Sequence, residues 1–235
     1  MQIVILCGGK GTRMGKDLQG LPKALIPIGN KPIIWHIMKY YSCFGFNNFV
    51  LCLGYKGNEI EKYFRGQKEF NLRFVDTGVE TNTGERMKLA GKYVDSEMFF
   101  ATYGDGLSDV NLKTLLKFHN KHKRIATITA VRPRSTFGIV KIGSHTDIVN
   151  DFQEKPLLDH WINGGFFVFN KEIFKYIKRG DILEKESFSR MVEKKELAAF
   201  KHRGFWECMD TYKDNLRLNQ LWEANDAPWV IWKGR

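Results

Sequence analysis

At 235 residues, with 43% hydrophobic and 27% charged content, the chain is long enough to bury a large core and has the composition of an ordinary globular protein. No apolar run approaches the roughly 20 residues of a membrane span, and no basic leader or cleavage site opens the chain, so neither a membrane anchor nor a signal peptide is expected. The formal charge of +11 raises nucleic acid as a partner, but Lys and Arg are scattered, and where they are densest, over 171–203, acidic residues alternate with them. No nucleic-acid-binding motif is present, so an anionic small substrate fits the excess charge and a nucleic-acid partner is not expected. Cys7, Cys43, Cys52 and Cys208 have neither CxxC nor zinc spacing, which suggests reduced thiols in a cytoplasmic protein.

Residues 2–7 (QIVILC) are nearly continuous apolar sequence, as suits a strand buried on both faces of a parallel sheet. Gly8, Gly9, Gly11, Thr12 and Arg13 follow at once, and Pro22-Lys23 comes shortly after. Glycines at the end of a strand let backbone N–H groups approach a ligand, and successive N–H groups make an anion-binding concavity. Arg13 and Lys23 add fixed positive charge. Neither the P-loop spacing nor the dinucleotide fingerprint is met, since Gly15-Lys16 precedes Asp17 and the last fingerprint glycine would fall on Met14. Glycines closing a simple strand-to-helix turn remain the plainer alternative.

Further along, residues 31–41 have helical apolar spacing with Pro32 at the start. Strands are expected at 49–55 and 72–76, with a helix at 58–64 between them and another at 86–93. Residues 98–103 read as a strand ending in Gly104-Asp105-Gly106, which puts a carboxylate where open α/β sheets bind ligands. A helix is expected over 109–122, capped by Ser or Asp. Then come strands at 125–131, 137–142 and 148–152, the last two joined by a polar turn, and an apolar strand entered through Asn163-Gly164-Gly165. Residues 172–193 are mostly helical in pattern, and 213–222 form a closing helix. Alternating strands and helices imply a parallel sheet with right-handed crossovers, in one domain spanning 1–235.

Four separated clusters fit one chemistry: the glycine loop with Arg13 and Lys23, the isolated Asp105, Glu154-Lys155 with Asn163, and Asp210. Transfer of a nucleotidyl group brings two anions together, so positive charge must reduce their repulsion and stabilise an in-line transition state. Mg²⁺ prefers few carboxylates and keeps waters and phosphate oxygens, so two aspartates from distant loops suffice. Singly, each residue has a plainer role. Asp105 suits a turn, Asp210 a helix cap, Lys155 the surface, and Asn163 a left-handed turn.

In order along the chain, Gly8–Arg13, Pro22-Lys23, Trp35-His36-Ile37-Met38, Leu53-Gly54-Tyr55-Lys56-Gly57, Tyr103-Gly104-Asp105-Gly106, Phe152-Gln153-Glu154-Lys155-Pro156, Ile162-Asn163-Gly164-Gly165, Gly204-Phe205-Trp206 and Met209-Asp210-Thr211 resemble the motifs of sugar-phosphate nucleotidyltransferases. Within that superfamily the chain is most similar to glucose-1-phosphate cytidylyltransferases. The resemblance implies an α/β, Rossmann-like mixed, mainly parallel sheet with helices on both faces. It also implies condensation of CTP with a phosphorylated acceptor to a CDP-activated product and pyrophosphate, for surface polysaccharide synthesis in a homo-oligomer. By position, Asp105 and Asp210 would hold Mg²⁺, and Arg13, Lys23 and Lys155 would join them as the catalytic set. Leu6, Cys7, Gly8, Gly9, Gly11, Thr12, Arg13, Lys23, Thr83, Gly84, Arg86, Tyr103 and Gly104 would face the nucleotide. Gly138, Glu154, Lys155, Asn163 and Gly164 would contact the acceptor.

One segment departs from the family. Between Phe64 and Asp76 the glucose-specific members carry a longer stretch, whereas here 65–75 suffices only for a turn and one strand. A different acceptor, such as another sugar phosphate or phosphoglutamine, is therefore an alternative, as is a noncatalytic nucleotide-sugar binder on the same fold.

Overall fold

The structure, a computed structural model, describes residues 1–11 and 20–232. Thr12 and Arg13, expected in the nucleotide site, lie outside the described residues. The first strand, β1 (Gln2–Leu6), shows why the fold is layered. Ile3 and Ile5 pack into one buried cluster, and Val4 and Leu6 into another on the opposite face of the sheet. Ile3, Val4 and Ile5 are fully buried, each stabilising the fold by about 1.5–3 kcal/mol relative to an exposed side chain.

A short hairpin, β2 (Pro27–Ile28) with β3 (Lys31–Pro32), leads into α1 (Ile33–Cys43). Next come β4 (Asn48–Leu53), α2 (Gly57–Phe64), β5 (Asn71–Asp76) and α3 (Thr83–Ala90). β6 (Met98–Tyr103), β7 (Gly106–Ser108), α4 (Leu112–His122) and β8 (Ala126–Val131) follow. After β9 (Ile139–Ile142), β10 (Val149–Gln153) and β11 (Ile162–Asn170), the chain closes with α5 (Phe188–Glu193), β12 (Leu197–Lys201), β13 (Trp206–Cys208) and α6 (Tyr212–Glu223). α1, α2, α4 and α6 supply side chains to one cluster, while α3 and α5 supply the other.

The central sheet has seven strands in the order β12-β8-β11-β6-β1-β4-β5. β6, β1, β4 and β5 run parallel, so all four end on one edge. β11 is antiparallel to both β6 and β8, and β12 is parallel to β8. β8 and β12 therefore end on that same edge, and β11 begins there. The sheet is mixed and mainly parallel, as the resemblance implies.

Several local expectations shift. Residues 172–193 are not one helix: a 3-10 turn at Lys171–Lys175 and a π-turn at Leu183–Ser187 precede α5. Asp181 diverts the chain there, accepting hydrogen bonds from Lys178 N, Ser187 Oγ and Arg190, in competition with a helical path. The helix expected from Asp109 starts at Leu112, capped by Asn111, which accepts from Thr114 N at 2.9 Å. Ser108 is committed to Phe205 O, and Asp109 pairs with His202 at 2.8 Å. The helix expected at 86–93 begins at Thr83 and ends in a 3-10 turn at Gly91–Tyr93. β12 carries no β-branched residue, and its pattern gives no strand signal in the sequence. The 137–152 strand pair does form, but as a separate two-stranded sheet, and its apolar residues are solvent-exposed.

Candidate active site

The parallel strands deliver their loops to one edge, and a cleft of about 610 Å³ opens there. Leu6 to Gly11 line it after β1, Val79 to Thr83 after β5, and Tyr103 to Asp105 after β6. Lys23, Ala24, Arg86, Ile182 and Asp210 complete the wall. Gly11 takes φ +61°, a left-handed conformation that favours glycine at this bend.

Asp105 and Asp210 meet through strand register. β7 follows Asp105 directly and pairs antiparallel with β13, Gly106 opposite Cys208. Met209 N donates to Asp105 O at 2.9 Å, which fixes the next residue, Asp210, beside Asp105. Lys23 reaches between them, its Nζ 2.6 Å from Asp105 Oδ2 and 2.6 Å from Asp210 Oδ1. Burial acts to lower the Lys23 pKa, but the charge and hydrogen bond of Asp105 and the hydrogen bond of Asp210 outweigh it, and the net shift is upward. The ammonium thus stays charged at the floor of the cleft.

The Cys208 thiol sits against the same pair, its ligand atom and those of the two carboxylates all lying within 4.8 Å of one another. Burial pushes this thiol up, with Asp105 adding to the effect, so it remains protonated. Two carboxylates facing an open cleft suit a hard cation that keeps water and phosphate oxygens, and a protonated thiol does not compete for it. The donor set therefore fits Mg²⁺ on Asp105 and Asp210.

Other predicted residues divide into two groups. Asn163 Nδ2 donates to Tyr103 Oη at 3.2 Å, which brings the start of β11 to the end of β6. Gly164 lies beside it, with its carbonyl accepting from Trp206 Nε1 at 2.7 Å, and a β-carbon there would run into Val131 at 2.8 Å. Gly84 rests against Asp181, donating to its carbonyl at 3.1 Å, and does not line the cleft. Gly138, Glu154 and Lys155 sit on the arm built from β9 and β10, outside the cleft wall. Glu154 pairs with Lys155 at 3.3 Å, both well exposed.

Glu184 carries no cue in the sequence pattern. It accepts from Tyr103 Oη and, at 2.8 Å, from Thr83 Oγ1, tying the π-turn to the cleft. Val79 to Asn82 likewise line the cleft without a residue motif to mark them. Their place after a parallel strand is the signal that points to them, because ligand crevices form outside those strand ends.

A mixed, mainly parallel α/β sheet with a cation between two carboxylates at its loop edge defines an enzyme of the nucleotide-handling class. The chain belongs to the nucleotidyl transferase family, whose model matches residues 2–225. It is 40% identical over 259 aligned positions to the glucose-1-phosphate cytidylyltransferase of Salmonella typhimurium, covering 99% of this chain and 100% of that protein. It is 39% identical over 256 positions to a probable glucose-1-phosphate cytidylyltransferase of Bacillus subtilis, with the same coverage. The 256-position alignment exceeds the 235-residue chain by 21, so that relative carries positions with no counterpart here. Among solved structures, a UDP-glucose pyrophosphorylase complexed with UDP-glucose superposes with a TM-score of 0.74 over 95% of this chain and 98% of its own, at 15% identity, a likeness of fold.

Proposed function

We propose that the protein is a single-domain, Mg²⁺-dependent cytidylyltransferase that condenses CTP with a sugar 1-phosphate, glucose 1-phosphate or a relative of it. The product is a CDP-activated building block for a surface polysaccharide, made in the cytoplasm. The observation that carries this proposal is Lys23 held between Asp105 and Asp210 on the floor of a glycine-walled cleft. Full-length relatives named as glucose-1-phosphate cytidylyltransferases support the choice of base and acceptor.

In the reaction, an acceptor phosphate oxygen bonds to the α-phosphorus of CTP. The bond from that phosphorus to the bridging oxygen breaks, and its electron pair leaves with pyrophosphate. The acceptor phosphate is already ionised, so no protein base is needed. Backbone N–H groups of Gly8 to Gly11 receive triphosphate oxygens, and Lys23 neutralises charge where the two anions meet. Arg13 adds a second cation, while Lys155, Glu154, Asn163, Gly138 and Gly164 belong to the acceptor side. Asp105 and Asp210 would hold Mg²⁺, which when bound screens the phosphates and stabilises charge on the transferring group.

The protein works as a homo-oligomer. Phe137, Ile142, Ile148 and Phe152 on the arm are each more than 60% exposed, an apolar surface that favours burial against another copy. Sedimentation of the purified protein tests this, and a monomer at micromolar concentration would refute it.

Pyrophosphate release in the presence of Mg²⁺, each nucleoside triphosphate and a panel of sugar phosphates and phosphoglutamine tests the activity. Turnover with CTP and a sugar 1-phosphate is expected. Turnover only with another base would overturn the base assignment, and turnover only with phosphoglutamine the acceptor. Binding of a nucleotide sugar without any turnover would make the protein a sensor.

A further inference from the structure

Glu184 stands on the π-turn Leu183–Ser187, and among the described residues no cation pairs with it. Its Oε1 accepts from Tyr103 Oη, and its Oε2 accepts from Thr83 Oγ1 at 2.8 Å. The turn around it is pinned. Leu183 is fully buried, with its N–H donating to Thr83 Oγ1 at 3.0 Å, and Ile182 N donates to Glu186 Oε2 at 2.8 Å. The widened turn, a geometry that recurs at functional sites, thus aims one acidic side chain at the end of β6.

The direction of each proton along these contacts is fixed. A carboxylate only accepts and a phenol has one proton, so the Tyr103 hydroxyl gives that proton to Glu184 and meets Asn163 as an acceptor. Asn163 Nδ2 supplies the matching donor at 3.2 Å. From the other side Gly165 N–H, which can only donate, reaches Asn163 Oδ1 at 3.0 Å. Both neighbours demand the same orientation of the amide. One Nδ2 proton is left over, with no partner among the described residues. Gly165 is what lets these groups meet. It lies one step past the Thr102–Phe166 pair at φ +76°, and a β-carbon on it would run into the Tyr103 ring.

Resting on the reading that Asn163 faces the acceptor, we infer that Glu184 is a positioning residue that, through Tyr103, locks the Asn163 amide so that its remaining N–H meets an oxygen of the sugar phosphate. The carboxylate polarises the phenol, which makes Oη a stronger acceptor and stiffens the amide. Without it the hydroxyl proton turns to water, and Gly165 alone is left to orient Asn163 firmly. Glu184 itself touches no substrate.

In the full chain, Glu184→Ala raises the KM for sugar 1-phosphate about tenfold, the size of one lost hydrogen bond to a bound ligand. The KM for CTP moves by no more than about twofold, because Thr83 keeps its contact with Leu183 N–H. Glu184→Gln restores most of the acceptor affinity, since glutamine can turn Oε1 to the phenol and Nε2 to Thr83 Oγ1. Tyr103→Phe matches Glu184→Ala, and joining the two adds nothing further, as expected of groups that act through one contact. An unchanged acceptor KM, a CTP KM that rises as much, no rescue by glutamine, or additive losses in the double variant each overturn the inference. Hydrogen exchange without substrate is the second arm. Gly165 N–H exchanges faster in Glu184→Ala and in Tyr103→Phe, while Phe167 and Val168, held in the β6–β11 ladder, do not change. Equal protection of Gly165 in all variants refutes the positioning role. If the unmodified protein turns over no nucleotide, the proposed function falls, and the exchange arm still decides the case of Glu184.

Discussion

Lys23 Nζ lies 2.6 Å from Asp210 Oδ1, a contact between residues 187 positions apart in the chain. The same ammonium is 2.6 Å from Asp105, with 15% of its side chain exposed. One cation thus holds two carboxylates together that would otherwise repel across a short gap. The triad is also where a triphosphate would meet its acceptor.

Asp105→Asn and Asp210→Asn each lose turnover by at least about a hundredfold, the scale for removing an electrostatic group from a transferring centre. Both retain the far-UV circular dichroism of the unmodified protein, because neither side chain is part of the core. Near-normal pyrophosphate release from either variant would remove that aspartate from the site.

Lys23→Met separates neutralisation from metal binding. It leaves two like charges facing one another, so Mn²⁺, read by electron paramagnetic resonance without nucleotide, binds more tightly than to the unmodified protein. Turnover nevertheless falls, since the triphosphate loses its cation. Unchanged Mn²⁺ affinity would show that Lys23 and the metal do not share these carboxylates.

His36 is fully buried among Trp35, Trp222, Trp229 and Trp232. Its Nε2 donates to Ile28 O at 2.9 Å, and its Nδ1 accepts from Trp229 Nε1 at 3.3 Å, so the neutral ring satisfies both contacts. Burial pushes its pKa down to about 4. Between pH 6.5 and 4 the unfolded chain binds a proton that the folded one does not, so stability falls as pH falls across that window. The full span is worth about 3 kcal/mol. Urea melts at stepped pH should show this slope in the unmodified protein and its loss in His36→Asn.

Asp181 and Arg190 form a bidentate pair at 2.6 and 2.8 Å, with Asp181 6% exposed. The Arg190 hydrogen bonds hold the Asp181 carboxyl well below its ordinary range. A depressed carboxyl pKa contributes stability that is present above the unfolded value near 3.8 and is lost as pH falls below it. Asp181→Asn is expected to cost about 2–3 kcal/mol at neutral pH, less than a fully buried pair because Arg190 reaches water. It should also flatten the acid limb below pH 4 while leaving the His36 window intact. A variant as stable as the unmodified protein would refute the pair's contribution.

What the sequence determined by itself was local. The apolar run of β1, the glycines after it, Asp105 beyond β6 and the strand–helix alternation are legible because side-chain periodicity and backbone conformation depend on near neighbours. The mostly helical pattern of 172–193 is legible too, but its division into a 3-10 turn, a π-turn and α5 is not, because the pair of Arg190 with Asp181 breaks the run. Tertiary structure alone decided the site. The β7–β13 register put Asp210 beside Asp105, Cys208 came with it, and the π-turn carried Glu184 to Tyr103 and Thr83. Such contacts are set by how separate strands stack and pair, and no local pattern records the distance between residues brought together from opposite ends of a chain.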